Sequence, residues 1–212
     1  MPATAESFYY VRHYDPDVVQ DVWGRVQKAA EGAALATGTT VSVEIIGGSY
    51  GTLPNDVLGR IVEGNLRRVG GYRYTDAEAT YAKAISASLP GELSEPDPSR
   101  IEAYDLGKKS SASSDVGDIS WVVPTSSLSA ATWVGGTPPH SWQAASASGT
   151  SIGVKGAVVA AKTLALSGAE LFRNPDEIAA AKAEFQKARG ADFVYRPLLG
   201  DRAPALDYTG KP

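Results

Sequence analysis

The residues Gly47-Gly48-Ser49-Tyr50-Gly51 spell G-x-S-x-G behind the apolar run Val41 to Ile46, and Asp115 or Asp118 and then His140 follow in the chain order Ser, Asp, His. That is the order used by α/β-hydrolases, in which the serine attacks an acyl carbon, the histidine moves its proton and the aspartate orients the histidine. Such an elbow needs a helix that starts directly after the serine, and an earlier strand whose loop completes the oxyanion hole. Here Thr52-Leu53-Pro54 delays the next helix to about Asn55, and only 48 residues precede Ser49. A Gly-rich turn leaving a strand accounts for the stretch. The serine-hydrolase reading ranks third, and a serine-directed phosphonate that labels Ser49 would restore it.

A second constellation lies between Ser113 and Gln143. It combines the Gly/Asp turn Ser113-Ser114-Asp115-Val116-Gly117-Asp118 with a histidine held in Gly136-Thr137-Pro138-Pro139-His140. Two prolines fix the direction from which the chain enters His140, which suits a ring nitrogen that must be aimed at a ligand. Taken alone, such a histidine is more often a hydrogen-bonded structural residue than a ligand. Ser114 or Asp115 is placed to cap a short helix. By composition Arg12 is a solvated charge at a strand end, and His13 is a surface residue outside any motif.

The elements that would carry these residues read as follows. Ala5 to Arg12 is aromatic and branched, as a strand is. Asp15 as cap and Pro16 in the first turn open a helix with Val19, Val22, Trp23, Val26, Ala29 and Ala30 on one face, and Gly38 closes it. Thr39 to Ile46 alternates like a half-solvated strand. The first fifty residues therefore read β-α-β. Helices follow from about Asn55, with Leu58, Ile61, Val62, Leu66 and Val69 on one face, and from a cap at Thr75 or Asp76. Next come a Pro/Ser-rich connector, short apolar runs broken by Ser, Gly and Pro, a long helix to about Leu171, another from Asn174 to Gly190, and a proline-bearing tail. A domain boundary is expected near residue 51, dividing 1–51 from 52–212.

Composition narrows the classes. A formal charge of −4 with a pI near 5.2 offers no basic field for a phosphate backbone, so nucleic acid is not an expected partner. The absence of cysteine removes disulfides, thiolate metal sites and a cysteine nucleophile. The N-terminus shows no secretory pattern, and the longest apolar stretch is broken by Lys155 and Lys162. A soluble, cytoplasmic protein without a membrane partner is the expectation.

The segments Ser113 to Thr125, Ala130 to Gln143 and Lys155 to Ala165 resemble the C-terminal part of the p-aminobenzoyl-glutamate hydrolase-like amidohydrolases. These belong to the dinuclear-metal peptidase family that includes aminoacylases and carboxypeptidase G. The lead segment Pro2 to Glu44 and the tail Asp192 to Tyr208 share the resemblance, which covers essentially the whole chain. It implies an α/β fold: the latter part of a ferredoxin-like lid and dimerisation domain over 1–51, then the C-terminal part of a mixed-sheet, zinc-peptidase-like catalytic domain over 52–212. It implies hydrolysis of the amide of an N-acyl or N-aroyl amino acid, with two divalent metal ions, zinc or manganese, in the complete enzyme. His140 falls on a metal ligand, Arg12 on the arginine that grips the substrate carboxylate, and Asp115 and Gly117 on a loop beside the substrate. The other metal ligands and the general-base glutamate have no counterpart here, so no catalytic residue is assigned. The chain reads as a C-terminal portion, inactive alone, of a lid-mediated homodimer or of an enzyme completed by a complementary N-terminal half. A non-catalytic binding or assembly subunit is the alternative.

Overall fold

The computed structural model describes residues 3–90, 97–105, 114–203 and 206; much of the Pro/Ser-rich connector and the end of the tail lie outside them. The described residues contain seven α-helices and no strand. The expected α/β mixed sheet is thereby overturned, and with it the β-α-β reading of the first fifty residues. Alternation shows that a stretch suits a pleated surface, but a strand exists only where a neighbour exchanges main-chain hydrogen bonds with it. Neither 5–12 nor 41–46 has such a neighbour, and Phe8, Tyr9, Tyr10, Val41, Val43 and Ile45 stand exposed.

The chain divides into two compact units. Met1–Pro54, Lys108–Val123 and Ala188–Pro212 make the first, and Asn55–Gly107 with Pro124–Lys187 the second. In the first, helix α1 (Pro16–Thr37) begins where Asp15 accepts the Asp17 N–H and Pro16 fills the opening turn. It stops at Gly38, whose φ of 65° lets its N–H turn back on the last carbonyls. The short helix α4 (Val116–Ser120) also belongs to this unit.

The second unit is a helical assembly built from α2 (Asp56–Val69), α3 (Asp76–Ala87), α5 (Trp142–Ser148), α6 (Ser151–Arg173) and nearly all of α7 (Pro175–Arg189). Each of the first four starts at a residue suited to capping: Asn55, Thr75, Ser141 and Thr150. Asn55 Oδ1 accepts the Leu58 N–H while its Nδ2 donates to the Ala181 carbonyl of α7. From α7, the Glu184 carboxylate takes the Asp56 and Val57 N–H groups at 2.9 Å each, neutralising the positive end of α2. Farther along, Asn65 donates to Ser167 Oγ and Glu170 Oε2 of α6.

Glu78 ties α3 to α6. It closes a capping box with Thr75, and it accepts the Lys155 ammonium and the Ser151 hydroxyl at 2.6 Å each. The Lys155 bond, then the Ser151 and Thr75 bonds, hold the carboxyl down at about 2. Beside it lies the apolar core of Ala82, Ile85, Val134 and Ile152, with Tyr72, Tyr74 and Tyr81 packed against it.

Candidate functional site

Asp115 and Gly117 sit at the start of α4. This helix has only five residues, and Asp115 makes no side-chain cap; Ser114 Oγ receives the Val116 N–H instead. Tertiary bonds hold it. Asp118, which the sequence places in the turn without assigning it a partner, accepts the Tyr50 N–H at 3.2 Å and the Tyr195 hydroxyl at 2.8 Å. Ser120 Oγ accepts the Leu53 N–H at 2.8 Å, and the Trp121 indole donates to the Gly51 carbonyl at the same distance. The rings of Tyr50, Trp121, Phe193 and Tyr195 pack together around these bonds.

Gly117 is buried, and a Cβ there would run into the Tyr50 carbonyl oxygen. That position has a packing requirement for glycine independent of any ligand. The Tyr195 phenol is raised above its ordinary value, first by its bond to Asp118 and then by burial. Burial and the Asp118 charge raise Tyr50 as well. Both phenols are hydrogen-bond donors at neutral pH rather than acids. The stretch that spells G-x-S-x-G is thus a structural anchor: Tyr50 carries it, and the next helix starts at Asp56, not after Ser49. The Asp118 network required contacts between residues 68 and 77 positions apart, which no local motif announces.

Arg12 belongs to the same unit and lies with its guanidinium 5.8 Å from the centre of the Tyr10 ring. His13, exposed, accepts the Asp15 N–H on Nδ1 at 3.0 Å and stacks on Tyr14, so it helps to start α1.

His140 belongs to the second unit, just before α5. Its φ is 58°, the one positive value for a non-glycine residue among the described residues. The conformation has a local reason, since Pro138 and Pro139 restrict the approach while Ser141 caps α5 through the Ala144 N–H and donates to the Pro138 carbonyl at 2.7 Å. The imidazole is exposed. Among the described residues no group of three or more His, Cys, Asp or Glu side chains is arranged to hold a metal ion. The described residues do not by themselves fit a dinuclear centre, which needs several ligands and a bridging carboxylate.

No protein-family model matches the chain, and no solved structure does. A curated protein does match: a p-aminobenzoyl-glutamate hydrolase subunit of Escherichia coli (strain K12), 29% identical over 228 aligned residues. The alignment takes in 96% of this chain and 47% of that protein, so the chain spans about half the length of the curated relative it matches. The resemblance carried by the Ser113 to Gln143 segment and its neighbours therefore extends over nearly the whole sequence, and this chain is similar to one half of a p-aminobenzoyl-glutamate hydrolase subunit.

Proposed function

We propose that this chain is the C-terminal portion of a metal-dependent amidohydrolase acting on the amide of an N-acyl or N-aroyl amino acid such as p-aminobenzoyl-glutamate. The observation that carries this is the match to the E. coli hydrolase subunit over 96% of the chain. In this reading Arg12 binds a substrate carboxylate, for which the planar guanidinium fork is suited. The α4 start at Asp115 and Gly117 borders the substrate, and the Asp118 network keeps that start rigid. His140 is one ligand of a zinc or manganese pair, held at a fixed angle by its two prolines and its left-handed backbone. The remaining ligands and the general base come from polypeptide outside this chain, which has no amidase activity alone. In the complete protein the first unit contributes to a homodimer.

The test is amidase activity on p-aminobenzoyl-glutamate with added zinc or manganese. It is run on this chain alone and on the chain co-expressed with the part of the E. coli protein that it does not match. Activity only in the second sample, abolished by His140→Ala and reduced in substrate affinity by Arg12→Gln, is the expected result. Silence in both overturns the catalytic reading and leaves a binding or assembly subunit, the alternative favoured by the sparse ligand set of the described residues.

A further inference from the structure

Helix α6 is apolar on two opposite faces. One face packs into the second unit through Ile152, Gly153, Gly156, Thr163 and Ser167, all buried. A rotation of about 100° per residue puts Val154, Ala157, Val158, Ala161, Ala165 and Phe172 on the opposite side. All six are exposed, Val154 at 62% and Phe172 at 91%. The stripe runs for about 27 Å without a charge. A surface helix normally turns charged residues to that side, and one apolar all round is a buried helix. Its alanines at 157, 161 and 165 recur every four residues, the spacing that lets another backbone approach closely. Lys162 stands exposed at one edge of the stripe.

We infer that this outward face of α6 is a docking surface for polypeptide outside the chain, of the kind that makes up the half of the E. coli protein that the chain does not match. The inference rests on the proposed function, and two observations choose the occupant. The matched protein has roughly as much chain again to supply. The exposed face also has the composition of a core layer rather than of a rim, as expected where two parts of one domain meet. Although α6 is long and apolar enough to cross a bilayer, its other face is engaged with α2 and α5 and buries Thr163 and Ser167. That makes it a core helix missing a layer. The occupant presents an apolar layer to the alanine stripe and a carboxylate to Lys162.

Because the chain has no cysteine, Ala161→Cys supplies a single thiol at the centre of the stripe, and Ala183→Cys supplies an exposed control on α7. Each variant is labelled with a maleimide, alone and co-expressed with the unmatched half of the E. coli protein. The expected result is a co-purifying complex in which Ala161→Cys labels at least tenfold more slowly than alone while Ala183→Cys is unchanged, and in which Lys162→Glu weakens association. Equal labelling in the complex, or no complex, overturns the inference. So does concentration-dependent protection of Ala161→Cys in the chain alone, which would mean a second copy, or protection by neutral lipid vesicles. The readout needs no hydrolysis. Protection without amidase activity would keep the docking face and remove the functional reading, and activity without protection would do the reverse.

Discussion

At the scale of single residues, His140 and Glu78 carry opposite lessons. The left-handed backbone at His140 strains any residue with a Cβ, and the exposed ring gains little from packing. His140→Gly should therefore raise the chain's stability by about 0.5–1 kcal/mol in urea unfolding, while removing activity from the complemented enzyme. A stability loss would show that the imidazole has a structural role instead. Glu78 is a stabilising carboxylate. Its folded value of about 2 lies below the ordinary 4.5, so its contribution is complete above pH 4.5 and fades as pH falls toward 2. Glu78→Gln should cost about 1–3 kcal/mol at pH 7 and flatten the acid limb of the stability profile between those values. An unchanged acid limb would sink the assignment. The sequence made Thr75 or Asp76 visible as a cap, but the partnership of Glu78 with Lys155 spans 77 residues and was not legible.

At the scale of elements, what could be read from the sequence was what is decided locally. Asp15-Pro16 and Gly38 bracket α1 as expected, and α2 begins one residue after the anticipated Asn55. Both late helices also lie where the sequence reading put them. Expected strands failed for the complementary reason: their pairing is non-local, and a pattern suited to a sheet does not supply the neighbouring chain. The five-residue α4 is similarly non-local, since it is fixed by Tyr50, Leu53 and Tyr195 rather than by its own cap. For α2, Asn55→Ala and Glu184→Gln should each cost about 1–2 kcal/mol, because both satisfy N–H groups of the same first turn. The double variant should cost less than the sum, measured by denaturant unfolding. Strict additivity would mean that the two act on independent parts of the unit.

For the whole molecule, the described surface carries many large apolar side chains in the open, among them Phe8, Tyr9 and Tyr10 near the start and Phe172 at the end of α6. Exposed apolar side chains that share one face, as Val154, Val158 and Phe172 do along α6, mark an interaction site. The native chain alone should therefore enhance the fluorescence of an apolar dye such as ANS, and, if the proposed docking holds, co-expression with the unmatched half of the E. coli protein should suppress that signal by more than half. A signal from the lone chain no larger than that of an ordinary compact protein of this size would count against an uncovered surface. Composition gave no sign of this, since the share of apolar residues is ordinary.

The Glu184 carboxylate that closes the start of α2 also sets an order of events during synthesis. Its two acceptor oxygens lie 127 and 128 residues beyond the N–H groups they receive, and the Ala181 carbonyl that holds Asn55 is almost as distant. On the ribosome α2 emerges before α7, and its first turn stays open to water until α7 has left the exit tunnel. The second unit thus completes its folding only after α7 has been made, and any premature stop before α7 releases a product in which the first turn of α2 lacks its partners.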